Sequence, residues 1–425
     1  MTKRISVKGL TWLFAFIYFA SYVTRINFSA IIQEFATDTG IEKTVLSSIL
    51  VCLSITYGVG QIINGWLGDK IKPQLLIFCG LASATVINLL FPFISFSVPL
   101  MCVFWGVNGF AQAMMWPPMV KILVGSMNEE EYGNSVIKIF CGSSFGTIFV
   151  YLIAPLIIKL WSWKGVFIAC ATIGIIACIV WYLMQEKTVV TETEAEVENA
   201  KTSIPAPFKF PKEAVFPIVF IMIAISFQGM LRDGVTSWMP TYLAEVFEMD
   251  NAMSILSTVS IAIFTTISYF VTGWMYKKFF RTEVACGIAL YGVVLFFTAL
   301  QYILYDFGAG IAIVCMTMTT SAIHGVNLML VSHVPKRFKK YGNISTISGV
   351  LNACTYVGSA IFTYGVAVLA NSLGWRPTVG IWFIIGICGV ACCFMALKAW
   401  RKFVLGKDGE TETVVPEVVS TETEN

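Results

Sequence analysis

The sequence is poor in charge. Only 12% of its 425 residues are Asp, Glu, Lys or Arg, about half the roughly 25% of an ordinary soluble domain. Histidine is scarcer still, with two in the chain. The polar segments contain no His/Cys metal cluster, no GxxxxGK[ST] phosphate cradle and no Ser/His/Asp arrangement. An ATP-driven pump is thereby excluded, an integral-membrane enzyme is disfavoured, and no cofactor or metal is expected. The net charge of +3, without a basic block, gives nucleic acid no footing. The twelve cysteines stand mostly alone in apolar runs, as at Cys52, Cys102, Cys141, Cys286 and Cys315, and read as small buried hydrophobes.

What the chain has instead is apolar surface. Hydrophobic residues make up 57% of it, more than so few charges could screen from water. The fold class is therefore all-α and polytopic, embedded in a lipid bilayer. Runs of about 20 residues, the length that crosses a bilayer, number twelve, near 10–32, 45–67, 75–95, 98–124, 136–160, 163–184, 214–246, 253–275, 283–305, 308–332, 343–371 and 375–397. The first follows the basic stretch MTKRISVKGL. It is long enough to span and lacks a small-residue cleavage site, so it reads as a span and not as a secretory signal.

Residues 185–213 are acidic, proline-bearing and without apolar periodicity, as a disordered linker would be. They divide the chain into a first half, 1–184, and a second, 214–404, with a disordered acidic tail at 405–425. With the N-terminus inside, inner loops and tails hold 22 of the 28 Lys and Arg residues, and outer loops hold four, Lys43, Lys159, Lys164 and Arg376. The positive-inside bias puts both termini and the linker in the cytoplasm, with the plasma (inner) membrane as the expected location. Lys121 and Lys138 are expected to snorkel there, and His333 to lie at the interface.

The halves repeat each other. Arg25 and Arg232 are 207 apart, Gly65 of NGWLGDKIK and Gly273 of TGWMYKKFFR 208, Tyr132-Gly133-Asn134 and Tyr341-Gly342-Asn343 209, and Trp163 and Trp375 212. Two parallel six-helix halves are a transporter architecture, with the substrate held near the midplane between them. On these landmarks the chain resembles the major facilitator superfamily over nearly its whole length. The loop GWLGDKIK is similar to that superfamily's motif between spans two and three. Gly65, Gly68, Asp69 and Lys70 are expected to form a gating latch, with Asp69 pairing a base or a helix end.

A charge at the centre of a spanning helix costs about 2.5–3.5 kcal/mol on the mildest scale. Arg25 and Arg232 must be compensated or useful. Arg25, in the outer half of its span, could still snorkel to the interface. Matching positions favour a shared cavity, where two guanidiniums would clamp an oxyanion bidentately. Tyr18 and Tyr22 share Arg25's face, and Tyr57 and Gln61 stand four apart on the second span. Pro117 and Pro118 in MWPPM are expected to kink the fourth span.

YFASYVTRINFS, MWPPM and MLRDGVTSWMPTYL, with Trp238 and Pro240, resemble the organophosphate:phosphate antiporter family of glycerol-3-phosphate and hexose-phosphate carriers. The resemblance implies that Arg25 and Arg232 bind the phosphoryl group and that Tyr18, Tyr22, Tyr57 and Trp116 line the path. Gln61 and Ser143 stand where that family's glycerol-3-phosphate carriers have a lysine and a histidine. Ile26 and Asp233 replace a lysine and a tyrosine.

These readings converge on a secondary transporter of a small organic anion, an organophosphate or sugar phosphate exchanged for phosphate. An empty site with two unpaired arginines is costly to occlude, which favours exchange. Alternatives are a proton- or cation-coupled symporter of organic carboxylates, or a sugar-phosphate sensor without transport. Asp233 and His324 are the candidates for coupling. Asp233 lies about a hundred degrees around the helix from Arg232, so the two are not expected to pair. By reaching Arg25 instead, Asp233 would relax obligatory exchange. A monomer is expected.

Overall fold

The computed structural model describes residues 5–94, 97–188, 210–250, 253–254 and 257–406. Lipid offers backbone groups no hydrogen bonds, so a spanning chain must satisfy them internally. Among the described residues twelve helices are long and apolar enough to cross a membrane. The first half comprises α1 (Val7–Thr39), α2 (Lys43–Lys70), α3 (Pro73–Ile94), α4 (Val98–Gln112), α5 (Trp116–Ser126), α6 (Glu129–Leu160) and α7 (Trp163–Met184). The second comprises α8 (Lys212–Phe247), α9 (Val259–Phe279), α10 (Glu283–Ile303), α11 (Ala309–Asn327), α12 (Ile344–Leu373) and α13 (Trp375–Leu405). A 3₁₀ turn, Gln185–Thr188, prolongs α7 into the segment read as linker, and α8 begins within it. The rest of that segment, 189–209, and the tail from 407 lie outside the described residues.

Several helices outrun their apolar cores because their polar ends are capped. α6 starts at Glu129, seven residues before the span expected from 136. Asn128 accepts the Glu131 N–H while the Glu131 carboxylate accepts the Asn128 N–H, a reciprocal capping box. α1 runs on to Thr39 and stops where Gly40 turns left-handed at φ 68°.

The fourth span breaks where its prolines fall. α4 ends at Gln112, and α5 restarts with Pro117 and Pro118 in its first turn, where a missing N–H costs nothing. The equivalent span of the second half is also interrupted. After Asn327 the helix widens to a π turn, Leu328–His333, then tightens to a 3₁₀ turn, Val334–Tyr341.

The repeat survives at the level of single contacts. α1 packs on α6 and α7 as α8 packs on α12 and α13. Gly146 of α6 faces the Phe19 carbonyl of α1, and Gly358 of α12 faces the Ser226 carbonyl of α8. Both members of the second pair are displaced from the first by the repeat offsets, 207 on one helix and 212 on the other. The Trp163 indole N–H bonds Asp38 at 2.7 Å, and that of Trp375 bonds Glu245 at 2.8 Å, again in register. Between halves, α2 meets α12 and α6 meets α9, a pseudo-twofold arrangement.

Candidate functional site

The seam between the halves is lined by aromatic rings. Tyr18, Tyr22 and Arg25 share one face of α1, as their spacing requires. The Tyr18 ring lies 5.2 Å from Tyr22 and 5.3 Å from Trp116, which the break before α5 turns inward. Tyr18, Tyr22, Tyr57, Trp116, Ser143, Arg232 and His324, all expected at the site, line one cavity. The Ser143 hydroxyl bonds back to the Phe140 carbonyl at 2.7 Å. The free volume is about 40 Å³, room for a few waters but not for a sugar ring.

Arg25 does not snorkel. Its guanidinium lies 4.3 Å over the Tyr57 ring and 5.5 Å from that of Tyr22, and it donates to the Tyr356 hydroxyl at 3.0 Å. Arg232 approaches the same residue from the other half, 5.2 Å from the Tyr356 ring centre. Two cations, one from each half, thus meet at a single tyrosine. Such cation–π contacts gain strength where water is excluded.

Asp233 departs from expectation. It does not reach Arg25; it binds its neighbour, with Nε and Nη2 of Arg232 at 2.6 and 2.7 Å from its two oxygens. Adjacent side chains diverge at their roots, but the arginine stem is long enough to fold its fork back onto the carboxylate. Ser359 of α12 also donates to Asp233. His324 receives or donates one bond, Nδ1 to the Tyr269 hydroxyl at 3.2 Å.

Gln61 is also displaced from the expected lining. It is fully buried where α2 meets α12, its backbone carbonyl against Gly349. Its amide N and O have no partner among the described residues, at a cost of about 1–3 kcal/mol.

The cavity also takes residues with no sequence motif. Tyr356 and Asn352 come from α12, four apart and so on one face. Tyr269 and Asn327 come from the second half, and the Asn327 amide nitrogen is buried without a partner among the described residues. Asn327 sits where α11 gives way to the π turn, a distortion common at functional sites.

At the end of the bundle richest in lysine and arginine, Asp69 caps the start of α12. It accepts the backbone N–H groups of Ser345 and Thr346, at 3.3 and 2.8 Å, and the Thr346 hydroxyl at 2.6 Å. These are the first residues of α12, where the helix dipole favours an anion. Gly65 lies against the Ser345 carbonyl and Gly68 against its hydroxyl, so both glycines are needed for the approach. Lys70 is exposed. Lys121, expected to snorkel, instead bonds the Gly68 carbonyl at 2.9 Å and lies 3.6 Å from Asp69.

The repeat returns with its charge inverted. Lys277, the counterpart of Asp69, binds Glu130 and Asn134 at the start of α6, at 3.1 and 3.0 Å. Alongside, Lys336 and Arg337 hold Glu129 at 2.8 and 2.9 Å. His333, read as interfacial, is buried against Tyr132 and Tyr276.

Asp69→Asn is expected to weaken this end by about 1–2 kcal/mol, a factor of roughly 5–30 in the closed population. Hydrogen exchange of the amides at the start of α12 measures it. Unchanged protection there removes the latch.

Comparison with known proteins agrees with this architecture. The chain is 26% identical over 407 residues to the glycerol-3-phosphate transporter of Bacillus subtilis, covering 89% of each. It is 23% identical over 430 residues to a probable hexose phosphate transport protein of Chlamydia muridarum, covering 91% of this chain and 89% of that one. The crystal structure of the Escherichia coli fucose:proton symporter superposes with a TM-score of 0.71 at 13% identity, over 92% of this chain and 98% of that one, which speaks to the fold. The family model of the Major Facilitator Superfamily matches residues 14–363. With that match, the repeated six-helix halves and the seam cavity between them, this chain belongs to the Major Facilitator Superfamily of transporters.

Proposed function

We propose that the chain carries a small organic anion across the membrane by alternating access. The substrate pair we favour is an organophosphate or sugar phosphate exchanged for inorganic phosphate. The observation that carries this reading is the pair of guanidiniums, Arg25 and Arg232, brought from opposite halves to the same residue, Tyr356. An oxyanion entering between them gains charge-assisted bonds from both halves and draws the halves together. The relatives named for glycerol 3-phosphate and hexose phosphate support the phosphate ester.

In this reading Tyr18, Tyr22, Tyr57, Trp116 and Ser143 wall the path, and Tyr356, Asn352 and Asn327 join them. The Asp69 and Glu129 contacts close one end while the other admits substrate. The clustering of lysine and arginine supports, in this reading, a closed end, linker and termini on the cytoplasmic side, and we propose a plasma-membrane protein working as a monomer.

A second reading, a proton- or cation-coupled symporter of organic carboxylates, is favoured by the Arg232–Asp233 pair. That pair cancels one positive charge and suits the site to a singly charged head.

Thermal unfolding in detergent separates the two. Phosphate, glycerol 3-phosphate, glucose 6-phosphate, a phosphonate and a sugar-acid carboxylate are compared. A true ligand at 100 times its Kd adds about 2.7 kcal/mol to apparent stability. We expect the phosphate esters to raise the midpoint. A rise with the carboxylate alone moves the assignment to the second reading, and no rise with any anion overturns the anion site.

A further inference from the structure

We infer that the substrate-free carrier satisfies its own arginines, Arg232 with the Asp233 carboxylate and Arg25 with the Tyr356 hydroxyl, so that the protein performs net one-way transport as well as exchange. The inference rests on the anion-carrier reading above and adds a second transport mode to it.

Strict exchange has a simple electrostatic origin. Guanidiniums without partners cost several kcal/mol each to remove from water, so a site holding two of them can pass through the occluded state only with an anion aboard. This chain supplies acceptors of its own. Both Asp233 oxygens are engaged by Arg232, at 2.6 and 2.7 Å, which is the bidentate geometry a substrate carboxylate or phosphate would offer. Arg25 has the Tyr356 hydroxyl at 3.0 Å and the Tyr57 ring face at 4.3 Å.

The two substitutes differ in how they respond to rocking. Arg232 and Asp233 are adjacent on α8, and Ser359, which holds the carboxylate, is on α12 of the same half. The three move as one body, so the pair persists whichever face of the carrier is open. Tyr356 belongs to that half and Arg25 to the other, so their bond spans the seam beside the α2–α12 contact. Asp233 is therefore the permanent counter-ion, and the Tyr356–Arg25 bond forms when the halves meet. Substrate competes with both, which lowers its affinity and removes the need for an anion on the return step.

Proteoliposomes loaded with labelled glycerol 3-phosphate, glucose 6-phosphate or a sugar-acid carboxylate give the test. A potassium ionophore holds the membrane potential at zero. Efflux is measured into buffer containing the same unlabelled anion, which reports exchange, and into buffer without it, which reports net flux. We expect net flux within about tenfold of exchange. In Asp233→Asn the ratio of net flux to exchange should fall by about tenfold or more, and Asp233→Glu should restore it. A merely structural role for Asp233 would lower both fluxes together and leave the ratio unmoved.

Robust exchange with net flux at the liposome background overturns the inference alone. So does a ratio in Asp233→Asn equal to wild type. No flux of either kind with any of the three probes overturns the anion-carrier reading, and the inference with it.

Discussion

Lysine in place of Arg25 or Arg232 is expected to cut anion uptake by about 10- to 100-fold, the worth of one or two charge-assisted hydrogen bonds, while the protein still folds in detergent. Lysine keeps the charge, so the loss isolates geometry. At position 25 the single ammonium cannot both lie over the Tyr57 ring and reach the Tyr356 hydroxyl, as the guanidinium does at 4.3 and 3.0 Å. At position 232 it cannot engage both oxygens of Asp233, as Nε and Nη2 do. Uptake by proteoliposomes, with the unfolding midpoint as a control for folding, decides the matter. Uptake near wild type in both variants shows that the forked geometry is not what holds the anion.

The second large effect is expected from Gly358→Val. The α8 and α12 backbones touch at two reciprocal points, Gly358 on the Ser226 carbonyl and Gly229 on the Thr355 carbonyl. A side chain at position 358 has no flexible neighbour to displace, because its obstacle is backbone. The helices must separate, at about 1–3 kcal/mol for an overpacked contact. The damage also reaches the site. Tyr356 and Ser359 flank Gly358, and Arg232 and Asp233 lie within two turns of Ser226. Both the unfolding midpoint in detergent and uptake should fall. Gly292→Val is the control, since a Cβ there meets nothing within 4 Å. Equal tolerance of the two substitutions refutes close helix approach as the reason for Gly358.

The broad fold was readable because the bilayer leaves few choices. Each span needs an apolar run of set length, and duplication left Arg25/Arg232 and Trp163/Trp375 at nearly constant offsets. Tyr18 and Tyr22, read on one face of α1, line the cavity together, and Tyr57 and Trp116, which the resemblance put on the path, line it too.

The failures have separate causes. The spacing rule that kept Arg232 from Asp233 describes where side chains leave the helix, and it ignores the reach of a long arginine. Gln61 was assigned from its helix face, yet whether that face meets the cavity or α12 depends on how the halves sit. Tyr356, Asn352 and Asn327 lie in apolar runs, and Tyr356 meets Arg25 and Tyr57 of the opposite half. No local pattern announces them, although the four-residue spacing of Asn352 and Tyr356 is a faint sign. The polar start of α6 was missed because NEEEYGNS carries its helix signal in a capping box and not in hydrophobicity.

The hydrogen bonds of Trp163 to Asp38 and Trp375 to Glu245 also bear on how the chain is made. Their partners are 125 and 130 residues apart, at opposite ends of each six-helix unit. During synthesis at the translocon, α1 must wait in lipid until α7 emerges before its end is tied, and α8 must wait for α13. Each six-helix unit is thus tied between its first and last spans only once its last span is made. Within them the two arginines are not equally provided for. Arg232 enters the bilayer with its counter-ion as the very next residue. Arg25 gains Tyr57 when α2 arrives, but its hydroxyl partner Tyr356 is translated 331 residues later. The half made first carries the charge that waits longest for its partner.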